Sequence, residues 1–239
     1  MAIAADKYLR ENRDMANLKI GLPFKTNFRI GQLFGNPMEQ YIGVTPNGKH
    51  NGLDFSCPTG TEIISCTDGV VEYAGADSSA GLGIYIIGQV GDKSYRFIYW
   101  HLQSFKVNVG DSVRSGQVIG ISDNTGFSTG SHLHWGCKPV TFNGKLWQTD
   151  NPNNGFGGAI DGFPFLPSVV YPSIKKGMNG QFVLQIQTYL NKINKSNLII
   201  DGKYGIKTEL ATKSFQAING LKADGIFGSL TMNKMLTYL

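Results

Sequence analysis

The hydrophobic pattern of this chain changes period part-way along, near residue 172. Before that point, GVVEYAG (69–75), GIYIIGQV (83–90) and SYRFIYWHL (94–102) are short and rich in β-branched and aromatic residues, and glycine or aspartate bounds them. Beyond it, Val183, Ile186, Leu190 and Ile193 recur at helical spacing, as do Ala211, Phe215 and Ile218, and then Thr231, Met235 and Leu239, with Met232 and Leu236 alongside. One packed layer cannot serve both periods. The pattern therefore predicts an α+β multidomain protein, with a mainly antiparallel β-sheet or sandwich over residues 24–148 and a small three-helix bundle over 173–239. Residues 149–172 hold four glycines, four prolines and three asparagines without periodicity and read as a linker, partly packed through Phe163, Phe165 and Val169. Residues 1–23 stand as an N-terminal extension.

Composition narrows the class. Glycine is 31 of 239 residues, well above the usual ~7%, yet there are only 9 prolines and no three-residue glycine period, so collagen is excluded. The excess fits strands joined by tight turns. Hydrophobic residues at 41% and charged ones at 16% supply a core and exclude global disorder. No apolar run reaches the ~18 residues of a membrane helix. The N-terminus is charged from Asp6 onward and lacks the apolar stretch of an export signal. The expectation is synthesis in a cytoplasm, with any action outside following release. Cys57, Cys66 and Cys137 are too few for a disulfide framework and are expected to be buried thiols.

Charge divides with the period. The chain carries +5, but residues 173–239 contain nine lysines, no arginine and the three acids Asp201, Glu209 and Asp224, a net +6. A basic module of this kind suits an anionic partner, such as a wall polymer or lipopolysaccharide. Nucleic acid is disfavoured, because arginine is absent and no stacking aromatics interleave with the lysines. The same module repeats itself: Asp201-Gly-Lys-Tyr-Gly-Ile-Lys-Thr208 matches Asp224-Gly-Ile-Phe-Gly-Ser-Leu-Thr231. In each copy Asp-Gly makes a turn and the threonine is expected to start a helix.

All four histidines lie in the β region. His50 and Asp54 form H-x-x-x-D, His132 and His134 form H-x-H, and His101 is expected to end the strand YRFIYWHL. Residues two apart share a face on a strand and not on a helix, so His132 and His134 can converge on one point. A catalytic zinc takes three protein ligands and leaves one position open. His50, Asp54 and one histidine of the pair meet that demand. His101 and the other histidine of the pair remain for acid–base work and for donation to an oxyanion, as peptide hydrolysis requires. Cys57 and Cys137 each follow a candidate ligand by three residues but are set aside in favour of this set. H-E-x-x-H is absent, which excludes the helix-based metalloprotease arrangement.

Residues 31–140 resemble the lysostaphin-like zinc endopeptidases that cut the peptide part of peptidoglycan. The strings that carry the likeness are QLFGNP (32–37), HNGLDF (50–55), GTEIISCTDGVVEYAG (60–75), YWHL (99–102) and NVGDSVRSGQVIGISDNTGFSTGSHLHWG (108–136). The resemblance implies Zn²⁺ held by His50, Asp54 and His134, with His101 and His132 catalytic and an activated water attacking the peptide carbonyl. The choice of His134 over His132 as ligand comes from the resemblance, since spacing leaves it open. Tyr41, nine residues before His50, is a loose match to an oxyanion-donating tyrosine in some relatives, and Trp135 reads as core. The last 67 residues are similar to the peptidoglycan-binding three-helix domain, through LQIQTYL (184–190), the D-G-x-[YF]-G-x-x-T repeat and Phe215-Gln216. The pairing resembles a bacteriophage endolysin, expected to be monomeric, with bacterial peptidoglycan as its partner. A non-catalytic wall-binding protein of the same fold is the alternative, opposed by the complete ligand set. A biotinyl or lipoyl carrier, suggested by VNVGDSVRSGQVIG, lacks the lysine at the hairpin tip. Which bond is cut is not legible.

Overall fold

The computed structural model describes residues 20–37 and 47–238. Tyr41 and Leu239 lie outside them. The chain divides into two compact units, one ending at Pro167 and the next beginning at Ser168.

The first unit is one antiparallel sheet of ten strands among the described residues. These are β1 (Ile30–Gln32), β2 (Leu53–Phe55), β3 (Glu62–Ile64), β4 (Gly69–Asp77), β5 (Gly81–Val90), β6 (Lys93–Phe105), β7 (Ser112–Val113), β8 (Val118–Ser122), β9 (Leu133–Phe142) and β10 (Trp147–Thr149). Its main path runs β1-β2-β9-β6-β5-β4-β7, with β10 on β9 and β8 linking β3 to β6. One face is apolar: Leu53, Phe55, Ile84, Ile86, Phe97, Tyr99, Leu133 and Trp135 are buried, as period-two alternation requires of a half-covered sheet. The opposite face carries Asp54 and His134, which stand directly across from each other in the β2–β9 register.

β6 changes neighbours along its length. Residues 94–100 pair with β9, whereas Leu102, Ser104 and Phe105 pair with β8. His101 sits at the switch with φ of 65°. It is therefore not the end of the strand, as its sequence position suggests, but a left-handed hinge inside a 13-residue strand. A non-glycine residue there costs of order 1–3 kcal/mol and is found where structure and function require it.

Residues of the 149–172 segment pack in an orderly way within the first unit. The Ile160 N–H donates to Cys137 O, Phe163 and Leu166 are buried, and Phe165 O accepts from the Ile20 N–H at 3.0 Å.

The second unit holds α1 (Gln181–Asn194), α2 (Ile206–Ile218) and α3 (Ser229–Leu236), each starting after a glycine. Val183, Ile186 and Leu190 are buried in α1, and Met232, Met235 and Leu236 in α3. In α2 the buried face is Thr208, Thr212, Phe215 and Gln216, while Ile218 is exposed. The apolar spacing misplaces that face because polar side chains fill much of it. Thr208 and Thr231 also lie inside the first turns rather than at the helix starts.

Candidate metal centre

Neighbouring strands bring three of the expected residues together. β2 supplies Asp54, β9 supplies His134, and His50 sits just before β2. His50 Nε2 lies 3.0 Å from Asp54 Oδ1 and 3.0 Å from His134 Nδ1, and His134 Nδ1 lies 3.1 Å from Asp54 Oδ1. Gly52 makes the approach possible, since a Cβ there would fall 2.6 Å from the His134 ring.

The donor set fits a cation. The His50 Nδ1–H donates to Leu33 O at 3.0 Å, so Nε2 keeps its lone pair for the centre. Two ring nitrogens and a carboxylate oxygen then form a triangle of electron-rich atoms with sides near those of a tetrahedral zinc set, about 3.3 Å for bonds of about 2.0–2.1 Å. Burial opposes the charge on Asp54, but the His50 and His134 imidazoles hold its carboxyl well below the usual carboxylate range. Burial pushes the His134 pKa down, which keeps its ring available as a neutral ligand. Among the described residues no other His, Cys, Asp or Glu joins this cluster. The three cysteines are free and buried, and burial raises all three thiols, Cys66 to about 12. Cys137 faces the core side of β9 and not the centre.

The remaining histidines flank the triangle. His132 lies one residue ahead of β9 rather than inside it, and its Nε2 is 3.7 Å from Asp54 Oδ2. Its Nδ1–H donates to Gly130 O at 2.7 Å. The His101 Nδ1–H donates to Thr125 O at 2.7 Å, and its ring centroid is 4.6 Å from that of His132. In both rings a backbone carbonyl fixes the tautomer and leaves Nε2 as the base. Burial, then the neighbouring His134 and His132, push His101 down to about 4.

Residues 48–147 match the sequence profile of peptidase family M23, and residues 179–235 match that of a putative peptidoglycan binding domain. The chain carries a lysostaphin-like peptidase family M23 domain followed by a peptidoglycan-binding domain. The M23 domain's His-Asp-His cluster is the metal site of a zinc metalloprotease family. An uncharacterized metalloprotease of Buchnera aphidicola is 40% identical over 120 residues, covering 50% of this chain and 31% of that protein. The glycyl-glycine endopeptidase ALE-1 of Staphylococcus capitis is 36% identical over 161 residues, 67% of this chain and 40% of the relative. The peptidoglycan DD-endopeptidase ShyA of Vibrio cholerae is 37% identical over 113 residues, 47% of this chain and 25% of the relative. This chain thus spans less than half the length of each of these curated relatives.

In the binding domain, a feature that sequence reasoning missed organises the repeat. Gln187 donates to Asp201 Oδ1 (2.9 Å), Lys203 O (3.1 Å) and Thr208 Oγ1 (3.3 Å), and accepts from the Gly202 N–H (2.9 Å). Gln216 does the same to Asp224 Oδ1, Ile226 O, Thr231 Oγ1 and the Gly225 N–H, at 2.9–3.1 Å. Gly202 and Gly225 adopt φ of 70° and 75° to complete these turns. The signal was present as Ile186-Gln187 in LQIQTYL and as Phe215-Gln216, but no periodicity rule reads a buried glutamine as a staple. The loops therefore spend their most distinctive polar groups internally. Ile206, Leu210 and Leu230 are left exposed around them.

Proposed function

We propose that this chain is a zinc-dependent endopeptidase that hydrolyses peptide bonds of bacterial peptidoglycan, held on its substrate by the C-terminal domain and acting in wall lysis of the endolysin kind. The observation that carries the reading is the convergence of His50, Asp54 and His134 at 3.0–3.1 Å, flanked by two histidines with tautomers fixed for base chemistry. When bound, zinc supplies a Lewis acid that makes water a nucleophile near neutral pH. His50 and His134 hold the site as neutral rings, and Asp54 brings the charge that favours a cation.

His101 and His132 divide the proton work. One accepts the proton released as water attacks the peptide carbonyl and passes that proton to the leaving amine as the C–N bond breaks; the other, as an imidazolium protonated from solvent, donates its Nε2–H to the developing oxyanion. Burial, then the neighbouring His134 and His132, keep His101 unprotonated at neutral pH, so its Nε2 lone pair is free. A role as a wall binder without catalysis would not require this complete set. The endolysin role rests on the joining of hydrolase and wall-binding module in one chain, and the +6 charge of residues 173–239 supports attraction to anionic envelope polymers. The site of action is accordingly the cell wall.

The test is digestion of purified walls of known cross-link type, with the new amino and carboxyl ends identified by mass spectrometry. Zinc-dependent appearance of paired new termini is expected. Wall binding without new termini would overturn the reading. Lysis of intact cells by added protein tests the endolysin role separately.

A further inference from the structure

The groove beside the histidines carries a positive charge that nothing in the described fold answers. Because β9 alternates, His134, Gly136 and Lys138 share its open face. The β6–β9 register sets Trp100 opposite His134, Ile98 opposite Gly136 and Arg96 opposite Lys138. Two cations therefore stand directly across the ladder, which is destabilising unless each is matched. Arg96 is matched: it pairs with the Glu72 carboxylate through Nε and Nη2 and donates to Thr149 Oγ1 at 3.1 Å and Trp147 O at 3.2 Å. Lys138 is not. It is half-buried, lines the same groove of about 240 Å³ as His101 and His134, and makes no hydrogen bond or ion pair among the described residues. Burial, then Arg96, lower its pKa, as expected for an ammonium that lacks a counter-charge. The nearby wall residue Asp77 makes no ion pair with it within 4 Å; its Oδ1 is turned to the Ser79 N–H, the Ser79 hydroxyl and the Ala80 N–H at 2.6–2.8 Å.

We infer that Lys138 is a specificity residue that receives a carboxylate of the peptide substrate, so that the enzyme prefers stem peptides with a free carboxyl over neutral segments such as glycine bridges. This rests on the endopeptidase reading above. Lys138 lies four residue steps beyond His134, about 13 Å along β9. A lysine side chain shortens that reach, placing the carboxylate about two to four extended residues from the scissile bond. The floor between them suits an extended peptide: Gly136 offers no side chain, and Tyr85 and Trp100, with ring centroids 5.4 Å apart, form an aromatic flank. Such a flank limits water at the pair and strengthens it.

The experiment compares purified walls with the same walls whose stem carboxyls have been converted to amides by carbodiimide and ammonia. New termini are counted for the zinc-loaded full chain and for Lys138→Gln. Amidation also weakens general attraction of the basic domain to the wall, but equally for both proteins, so the ratio of ratios isolates Lys138. Wild type is expected to cut free-carboxyl walls about 10–100-fold faster than amidated ones, the range for a hydrogen bond to a charged group, and Lys138→Gln is expected to reduce that preference below about 3-fold. Removing one of two facing cations should not lower the unfolding temperature, and Lys138→Met gives the same comparison with an apolar stem. Equal cutting of both walls by wild type, or an unchanged preference in both variants, would overturn the assignment of Lys138. Failure of wild type to cut either wall would instead overturn the endopeptidase reading.

Discussion

The two units of this protein bury polar side chains in opposite ways. In the helical unit, Gln187 and Gln216 each gather an aspartate, a threonine, a carbonyl and a glycine N–H, and every hydrogen-bonding atom of the amide is used. In the peptidase unit, His50, Asp54 and His134 gather three electron-pair donors with too few protons to satisfy them. A closed network holds a fold together, whereas one left open to a cation is a site. The difference lies in valence rather than burial, since both clusters are buried or nearly so.

The strongest way to break this contrast is to remove a donor from the open cluster. His134→Ala, or chelation of the wild-type protein, should abolish metal binding and reduce wall hydrolysis by more than about 10³-fold, because the metal supplies several kcal/mol of transition-state stabilisation. Metal analysis should show about one zinc per wild-type chain and none in the variant. Retention of full zinc by His134→Ala would mean that the triangle is not the site. Substitutions of His101 or His132 by alanine should separate chemistry from coordination. Each is expected to keep the metal and lose about 10²–10⁴-fold in turnover, measured by release of new amino termini under saturating wall. Near-normal turnover in either variant would remove that residue from the mechanism.

A smaller effect is expected from the closed cluster. Gln216→Leu keeps the side-chain volume but leaves the Asp224 carboxylate, the Thr231 hydroxyl, the Ile226 carbonyl and the Gly225 N–H without their shared partner. The helical unit should lose about 2–4 kcal/mol, seen as faster amide exchange in α2 and α3 of the full chain. Zinc content should not change. Unaltered exchange would show that the glutamine is not a staple.

What was legible in the sequence follows the same division. His50, Asp54 and one histidine of the H-x-H pair could be read from the ligand count of a zinc site, strand alternation put His132 and His134 on one face, and resemblance then chose His134 over His132. The hinge at His101 could not be read, because it depends on β6 leaving β9 for β8, a pairing of segments far apart in the chain. The buried face of α2 was missed for a related reason. Apolar spacing selected Ile218, whereas Thr208, Thr212 and Gln216 are turned inward by hydrogen bonds to Gln187, to Tyr204 and to the Asp224–Ile226 turn respectively. The half-buried, unpaired cation Lys138 became visible only once register set it opposite an already engaged arginine.

The smallest expected effect concerns charge on the helical unit. Of its nine lysines, Lys176 and Lys213 pair with Glu209, at 3.4 and 2.9 Å, whereas Lys203 and Lys207, inside the first repeat, make no ion pair within 4 Å among the described residues. Exposed charges act over about a Debye length, roughly 30 Å at 0.01 M salt and 8 Å at 0.15 M. Wall binding by the His134→Ala full chain, which leaves the wall uncut, should therefore weaken only about 2- to 5-fold across that range if short-range contacts by exposed side chains such as Ile206 and Leu230 carry most of the affinity. The double variant Lys203→Gln, Lys207→Gln should flatten the salt dependence and leave binding at 0.15 M nearly intact, as read by sedimentation with insoluble walls. Binding that disappears at 0.15 M would instead make the helical unit a purely electrostatic anchor, with its two closed loops serving only to hold the lysines in place.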